Sequence, residues 1–177
     1  GAYGASMIGM NAMPPYPEYS GEKWGEIWEH HLEHNVPYLL TWLSNQTDGE
    51  YWRPGSIRDR YEDIKCSVFM IGGWRDGYPN PPLRTFANLK VPKKVWVGPW
   101  NHTRPDAAIP GPRVDYIPEV VRWCDYWLKG EENGVMDEPP VCVYMQSYDR
   151  PDPYRLETTG YWRTEVEFPV QDSSERR

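Results

Sequence analysis

Hydrophobic positions in the first third of the chain recur at the spacing of short helices. Ser20 is suited to cap a helix N-terminus, and apolar side chains follow it three or four residues apart, at Trp24, Ile27, Trp28 and Leu32. Such spacing places side chains on one face of a helix. A second short helix is predicted after Pro37, where one side carries Tyr38, Leu39, Trp42 and Leu43. Residues 15–62 are therefore predicted to form a small helical unit rich in tryptophan.

The pattern changes at residue 66, where a nearly continuous apolar run extends to residue 73. Apolar runs of this length bounded by glycine are typical of strands buried on both faces of a sheet. A second run covers residues 95–98, and a helical pattern over residues 81–89 separates the two runs. A strand, a helix and a second strand in this order predict a βαβ unit with a parallel sheet.

The clearest helical pattern of the chain follows Asp115, where apolar residues keep a 3.6-residue period as far as Leu128. Gly130 comes soon after it, at a position where glycine ends many helices. Beyond this helix, residues 141–145 and 161–168 have the pattern of short β strands, with proline and aspartate between them. Residues 131–177 are therefore predicted to begin a separate β domain that ends in a tail at 171–177.

Composition limits the class of protein. The 177 residues carry a formal net charge of −7, whereas nucleic-acid binding requires a basic face. No apolar run approaches the roughly 20 residues of a membrane-spanning helix. With 10 Trp and 13 Tyr, the chain has large side chains for a core although aliphatic residues are few. We therefore expect a folded protein that binds neither nucleic acid nor membrane.

The cysteines, Cys66, Cys124 and Cys142, are far apart and form no C-x-x-C pair. No zinc or redox motif follows from this spacing. Because all three lie in apolar runs, we expect buried, reduced thiols and a cytoplasmic location. We expect neither a cofactor nor a bound metal.

Two ionisable residues follow the two predicted parallel strands: Asp76 comes shortly after the first and His102 shortly after the second. Because the carboxyl ends of parallel strands meet at one edge of a sheet, both side chains are expected at that edge. A carboxylate bonded to an imidazole fixes its tautomer and stabilises it when it takes up a proton. The order of acid before histidine is also that of α/β-hydrolases. The alternative is that Asp76 begins a turn and His102 is an ordinary loop residue.

A rival motif lies in the first predicted helix. His30, Glu33 and His34 match the pattern H-x-x-E-H, in which two imidazoles one helical turn apart bind zinc and the glutamate acts as base. A third ligand would have to come from elsewhere in the chain, such as Glu62 or Asp63. The alternative is a polar helix face in contact with solvent.

Four segments carry motifs in a recognisable order: GGWRDGY at 72–78, VGPWNH at 97–102, RWCDYWLKG at 122–130 and PPVCVYMQ at 139–146. The first two resemble the acid and histidine motifs of the CocE/NonD hydrolases, the family of cocaine esterase and X-prolyl dipeptidyl peptidase. The third resembles the last helix of that family's hydrolase domain, and the fourth resembles the beginning of its C-terminal jelly roll. The resemblance covers roughly residues 15–165.

This resemblance implies a serine acyl hydrolase with a partial α/β-hydrolase fold. It implies four segments: the end of a first hydrolase segment at 1–14, a helical cap at 15–62, the C-terminal part of the hydrolase domain at 63–130, and the start of the jelly roll at 131–177. Asp76 would orient His102, and His102 would act as general base and then as general acid. Three aromatic residues flank the pair and are candidates for the wall of the substrate pocket: Trp74, Tyr78 and Trp100.

The family's nucleophile, a serine on a strand-to-helix turn upstream of the cap, is not identified in the chain. Segment 4–9 has the spacing G-x-S-x-x-G around Ser6, but no strand precedes it to hold such a turn. The chain is therefore expected to be a fragment without esterase activity of its own. The substrate would be a small-molecule ester or a short X-Pro peptide, and an exposed tryptophan-rich surface would allow homo-oligomers. The alternative from another class is a non-catalytic binding module with an aromatic-lined cap.

Overall fold

The computed structural model describes residues 2–170 and divides between Ser56 and Ile57 into two compact units. The predicted tail at 171–177 lies outside the described residues. None of the helices within residues 2–170 is both long and apolar enough to cross a membrane.

The first unit is helical, as predicted. Its helices are α1 (Ala2–Ala12), α2 (Pro17–Ser20), α3 (Trp24–His34) and α4 (Tyr38–Ser44), with 3₁₀ turns at Gly21–Lys23 and Arg53–Gly55. Aromatic rings hold the unit together around Trp42, whose ring centroid lies 4.9 Å from that of Tyr38, 6.1 Å from Trp52 and 6.5 Å from Tyr3. The assignment of this unit as a cap stays a prediction.

Helix α1 was not predicted, because glycines at positions 4 and 9 lower the helix propensity of the segment. Packing favours its presence, because Gly4 lets α1 approach α4 closely: a Cβ there would lie 2.5 Å from the end of the Leu39 side chain. Ser6 lies in the interior of this helix. It therefore does not stand at the strand-to-helix turn on which a nucleophilic serine is exposed.

The second unit contains a four-stranded sheet in the order β1-β2-β3-β4. The strands are β1 (Val68–Gly73), β2 (Lys93–Gly98), β3 (Val141–Gln146) and β4 (Gly160–Glu165), and the helices are α5 (Asn80–Asn88) and α6 (Ile117–Cys124). A 3₁₀ turn at Tyr61–Asp63 precedes β1. β1 pairs with β2 in parallel, and β2 pairs with β3 in parallel, whereas β3 and β4 are antiparallel. The predicted βαβ unit is therefore β1-α5-β2, and the prediction of a mixed α/β fold is confirmed.

β3 and β4 belong to the same sheet as β1 and β2. The sequence pattern predicts a separate β domain for their residues, because the segment between them is rich in proline and aspartate. In the structure, Val95, Trp96 and Val97 of β2 pair with residues 141–143 of β3. The domain boundary at residue 131 stays a prediction, whereas the strands themselves extend the hydrolase-like sheet.

The core of the second unit lies between α5 and the sheet. Its buried members are Leu83, Phe86, Val95, Val97 and Val141. The predicted long helix after Asp115 begins at Ile117, whose N–H lies 3.3 Å from Asp115 Oδ1, and it continues past α6 as a wider π turn over Asp125–Lys129. Gly130 ends it with φ of +73°, a left-handed conformation that favours glycine.

Cys66 corrects one expectation. Its side chain is exposed because β1 begins only at Val68, so Cys66 precedes the buried part of the apolar run. Cys124 and Cys142 are half-buried, and all three thiols are free.

A ring of charges fastens β2 to α6. Lys94 is only 3% exposed, and its Nζ lies 2.5 Å from both Glu119 Oε1 and Glu138 Oε2. Arg122 completes the ring, 2.6 Å from Glu119 Oε2 and 2.7 Å from Glu138 Oε1. Cations and carboxylates alternate, so each buried charge has two partners of opposite sign, which is the condition under which buried ions are tolerated.

Replacement of Lys94 tests this ring. Lys94→Met should lower the free energy of unfolding by about 3 kcal/mol, the lower end for a broken buried pair, because Arg122 still pairs with both carboxylates. The exposed Lys90 provides the control, and Lys90→Met should change stability by less than about 0.5 kcal/mol. Urea denaturation measures both variants. Equal, small losses in the two would show that the ring contributes little to stability.

Candidate active site

The ends of β1 and β2 lie side by side, because Gly73 pairs with Gly98. We call residues 74–79, which follow β1, the acid loop, and residues 99–103, which follow β2, the histidine loop. Backbone hydrogen bonds join the two loops: Trp74 N–H donates to Gly98 O at 2.9 Å, and Arg75 N–H donates to Trp100 O at 3.0 Å. The two loops are therefore held side by side where they leave the sheet.

Asp76 and His102 face each other across these loops. Asp76 Oδ2 and His102 Nδ1 lie 2.9 Å apart, which is hydrogen-bond distance. The other carboxylate oxygen, Oδ1, accepts a hydrogen bond of 2.8 Å from the N–H of Tyr78. The Asp76 side chain is 17% exposed, whereas that of His102 is 81% exposed. With Nδ1 next to the carboxylate, Nε2 is the ring nitrogen left for a second partner.

The surroundings of Asp76 favour its ionised form. Partial burial by itself would raise the pKa of this carboxyl. The hydrogen bond with His102, the hydrogen bond from the Tyr78 N–H and the charge of the imidazole together outweigh burial, so that the pKa lies below its ordinary value. The pair can therefore act as a carboxylate that orients an imidazole for proton transfer at Nε2.

The three predicted pocket residues have different environments. The Tyr78 ring is exposed and lies edge-on to His102, with 6.1 Å between ring centroids. Trp74 is half-buried, and its indole N–H donates to Tyr144 O at 2.7 Å. Trp100 is only 1% exposed and its ring packs against the backbone of Gly98, so its burial argues against a place in a pocket wall. Substrate contacts of all three residues stay predictions.

The packing of Trp100 against two glycines is not evident from the sequence pattern alone. A Cβ at Gly98 would lie 2.4 Å from the Trp100 ring, and a Cβ at Gly73 would lie 2.2 Å from the Trp100 carbonyl oxygen. Both strands therefore have to end in glycine. The signal was present in the sequence as a glycine at each strand end with a tryptophan two residues after the second, but only the sheet register shows that all three meet.

The rival zinc motif lies on α3 of the first unit. His30 and His34 do lie close on α3, with ring centroids 4.1 Å apart, and His34 Nδ1 lies 2.9 Å from the carbonyl oxygen of His30. Within residues 2–170, however, no group of three His, Cys, Asp or Glu side chains is arranged to hold a metal ion. The suggested third ligands, Glu62 and Asp63, belong to the second unit. The zinc-peptidase interpretation is therefore not supported.

Comparisons with known proteins agree with the motifs. Residues 14–104, just over half of the chain, match the model of the X-Pro dipeptidyl-peptidase (S15) family. The chain is 22% identical to the cocaine esterase of a Rhodococcus species over 151 residues, which cover 78% of the chain and 24% of that protein. It is 31% identical over 110 residues to a Mycobacterium tuberculosis protein named for a proposed serine esterase activity, covering 56% of the chain and 16% of that protein.

The fold is similar to that of a CocE/NonD family hydrolase from Staphylococcus aureus. The TM-score is 0.50 at 15% sequence identity, and the match covers 82% of this chain and 22% of that one. The chain therefore spans about a quarter or less of the length of the proteins that it resembles.

Gly73→Ala tests the contact between the loops. The added methyl group would meet the Trp100 carbonyl oxygen, which also accepts the Arg75 N–H, so the two loops have to move apart. We expect a loss of about 1–3 kcal/mol in the free energy of unfolding, typical of overpacking. The matched control is Gly77→Ala in the same loop, where nothing lies within 4 Å of the new Cβ. Urea denaturation should separate the two variants, and similar stability would contradict the close contact.

The lowered pKa of Asp76 predicts a pH dependence. Its ordinary value is 3.8, and the folded value lies below this. The ionised carboxylate therefore contributes stability that is complete above the ordinary pKa and is lost as the pH falls through the lowered folded value. Asp76→Asn should flatten the dependence of the free energy of unfolding on pH below about pH 4. Urea denaturation between neutral and acidic pH measures this, and an unchanged slope in the variant would contradict it.

Proposed function

Because the chain belongs to the X-Pro dipeptidyl-peptidase (S15) family, we propose that it supplies the acid and the histidine of a Ser-Asp-His triad. The reaction would be hydrolysis of an ester, or of the amide bond after an X-Pro unit, through an acyl-enzyme. The observation that carries this proposal is the 2.9 Å contact between Asp76 Oδ2 and His102 Nδ1 at the carboxyl ends of two parallel strands.

In this proposal, His102 Nε2 removes the proton from the serine hydroxyl as its oxygen attacks the substrate carbonyl. The imidazolium then gives that proton to the leaving alkoxide or amine, and a water molecule repeats the two steps to release the acid. Asp76 stays ionised throughout, holds the proton on Nδ1 and stabilises the imidazolium. The depressed pKa of Asp76 supports this role, because the carboxylate is kept in its charged form.

The substrate in this proposal is a small-molecule ester or a short peptide. In this proposal Tyr78 contacts the substrate, because its ring is exposed and lies edge-on to His102. The serine and the oxyanion donors would come from sequence outside this chain, so we propose that the chain alone does not hydrolyse esters.

The binding-module alternative predicts no particular contact between Asp76 and His102. Their hydrogen-bond distance, together with the second hydrogen bond that orients the carboxylate, favours hydrolysis over binding alone. We therefore retain a single proposed function.

A chimera tests the proposal. The chain would replace the matching segment of the Rhodococcus cocaine esterase, so that the rest of that protein is retained. Hydrolysis of an aryl ester would be followed by absorbance. We expect activity in the chimera and none in the chain alone. His102→Ala and Asp76→Asn in the chimera should each lower kcat by roughly 10³–10⁴, as expected for loss of a triad member.

The matched control is His34→Ala, which removes another exposed histidine and should leave kcat unchanged. Circular dichroism would show that each variant is folded. An active chimera that keeps its kcat without His102 would overturn the proposal, as would ester hydrolysis by the chain alone that survives His102→Ala.

A further inference from the structure

We infer that Trp100 is a positioning residue for Asp76 and His102, and that it acts through the hydrogen bond from its indole N–H to the carbonyl oxygen of Pro112. The inference rests on the proposed function, because it concerns the pair that would transfer the proton. Its test uses the hydrogen bond of the pair and requires no activity.

Trp100 belongs to the histidine loop and is hydrogen-bonded to the acid loop. Its backbone carbonyl accepts the N–H of Arg75, the residue immediately before Asp76, at 3.0 Å. Its own backbone lies two residues before His102. A rotation or shift of Trp100 would therefore move the carboxylate and the imidazole relative to each other.

The indole ring is fixed inside the unit. It lies against the backbone of Gly98, which lacks a Cβ at that point, and its centroid is 5.8 Å from that of Trp162 on β4. Its Nε1–H donates to Pro112 O at 2.8 Å. Because the side chain is only 1% exposed, water cannot replace this acceptor without opening the structure.

The acceptor is itself anchored to the segment between β3 and β4. Gly111, next to Pro112, donates its N–H to Leu156 O at 2.7 Å and accepts the N–H of Thr158 at 2.8 Å. The position of the indole is thus set from residues 156–158, which lie outside both loops. Residues 156–158 therefore help to determine the geometry of the proposed acid-base pair, although the sequence pattern assigns them to a separate β domain.

This support matters because the His102 side chain is 81% exposed. A ring with so few neighbours is held at 2.9 Å from the carboxylate only if the two loops keep a fixed separation. Trp100 fixes that separation, since it is hydrogen-bonded to the acid loop through its backbone and to Pro112 through its side chain.

The test measures the exchange of the His102 Nδ1 proton with water by ¹⁵N-edited NMR in the full chain. Two variants remove the indole N–H: Trp100→Phe, and replacement of Trp100 by benzothienylalanine, which keeps the ring shape and has sulfur in place of N–H. Both should speed the exchange by roughly three- to tenfold, the range for loss of one neutral hydrogen bond. The second variant isolates the hydrogen bond if the smaller phenyl ring prevents folding.

The matched control is Trp123→Phe, at a buried tryptophan of α6 that packs against Phe69 and Trp127. It should lower stability and leave the exchange rate unchanged. An equal acceleration in this control would overturn the inference, because general loosening would then explain the effect. Wild-type exchange rates in a folded benzothienylalanine variant would overturn it as well.

Failure of the inference and failure of the proposed function give different results. A protected Nδ1 proton in the wild type that does not respond to either Trp100 variant contradicts positioning by the indole and leaves the proposed function standing. A wild-type His102 whose Nδ1 proton exchanges as fast as that of free imidazole contradicts the Asp76–His102 bond, and the two proposals then fail together.

Discussion

The parallel pairing of β1 with β2 is the constraint on which the rest of the second unit depends. Its register sets Gly73 opposite Gly98, so that both strands end at the same level and their loops begin together. A slip of one residue would move one loop by about 3.3 Å along the strand and turn its side chains to the other face. The 2.9 Å contact between Asp76 and His102 would not survive such a slip.

β2 has polar partners at both of its ends. Lys94, near its start, is enclosed by carboxylates from α6 and from the segment before β3, while His102, beyond its end, meets a carboxylate from the loop after β1. Partial burial alone would raise the pKa of the Glu138 and Asp76 carboxyls, and hydrogen bonds from their partners outweigh it in both. At each end of β2, the ionic contact therefore joins groups from different elements of the fold.

Local patterns in the sequence predict the two strands and the helix of the βαβ unit. They also predict that Asp76 and His102 lie at the same edge of the sheet. The reason is that strand ends of a parallel sheet converge wherever the strands pair. The same patterns could not show that β3 joins β2, because alternation of side chains identifies a strand and not its neighbour. They also could not show that Trp100 is buried, since its burial depends on contacts with Gly73, Gly98 and Pro112 that only the fold brings together.

The acid and the imidazole of the pair differ greatly in exposure, 17% against 81%. Dissolved reagents can therefore reach the imidazole much more easily than the carboxylate. A reagent that alkylates imidazole nitrogens would label the ring of His102 and leave the partner oxygens of Asp76 out of reach.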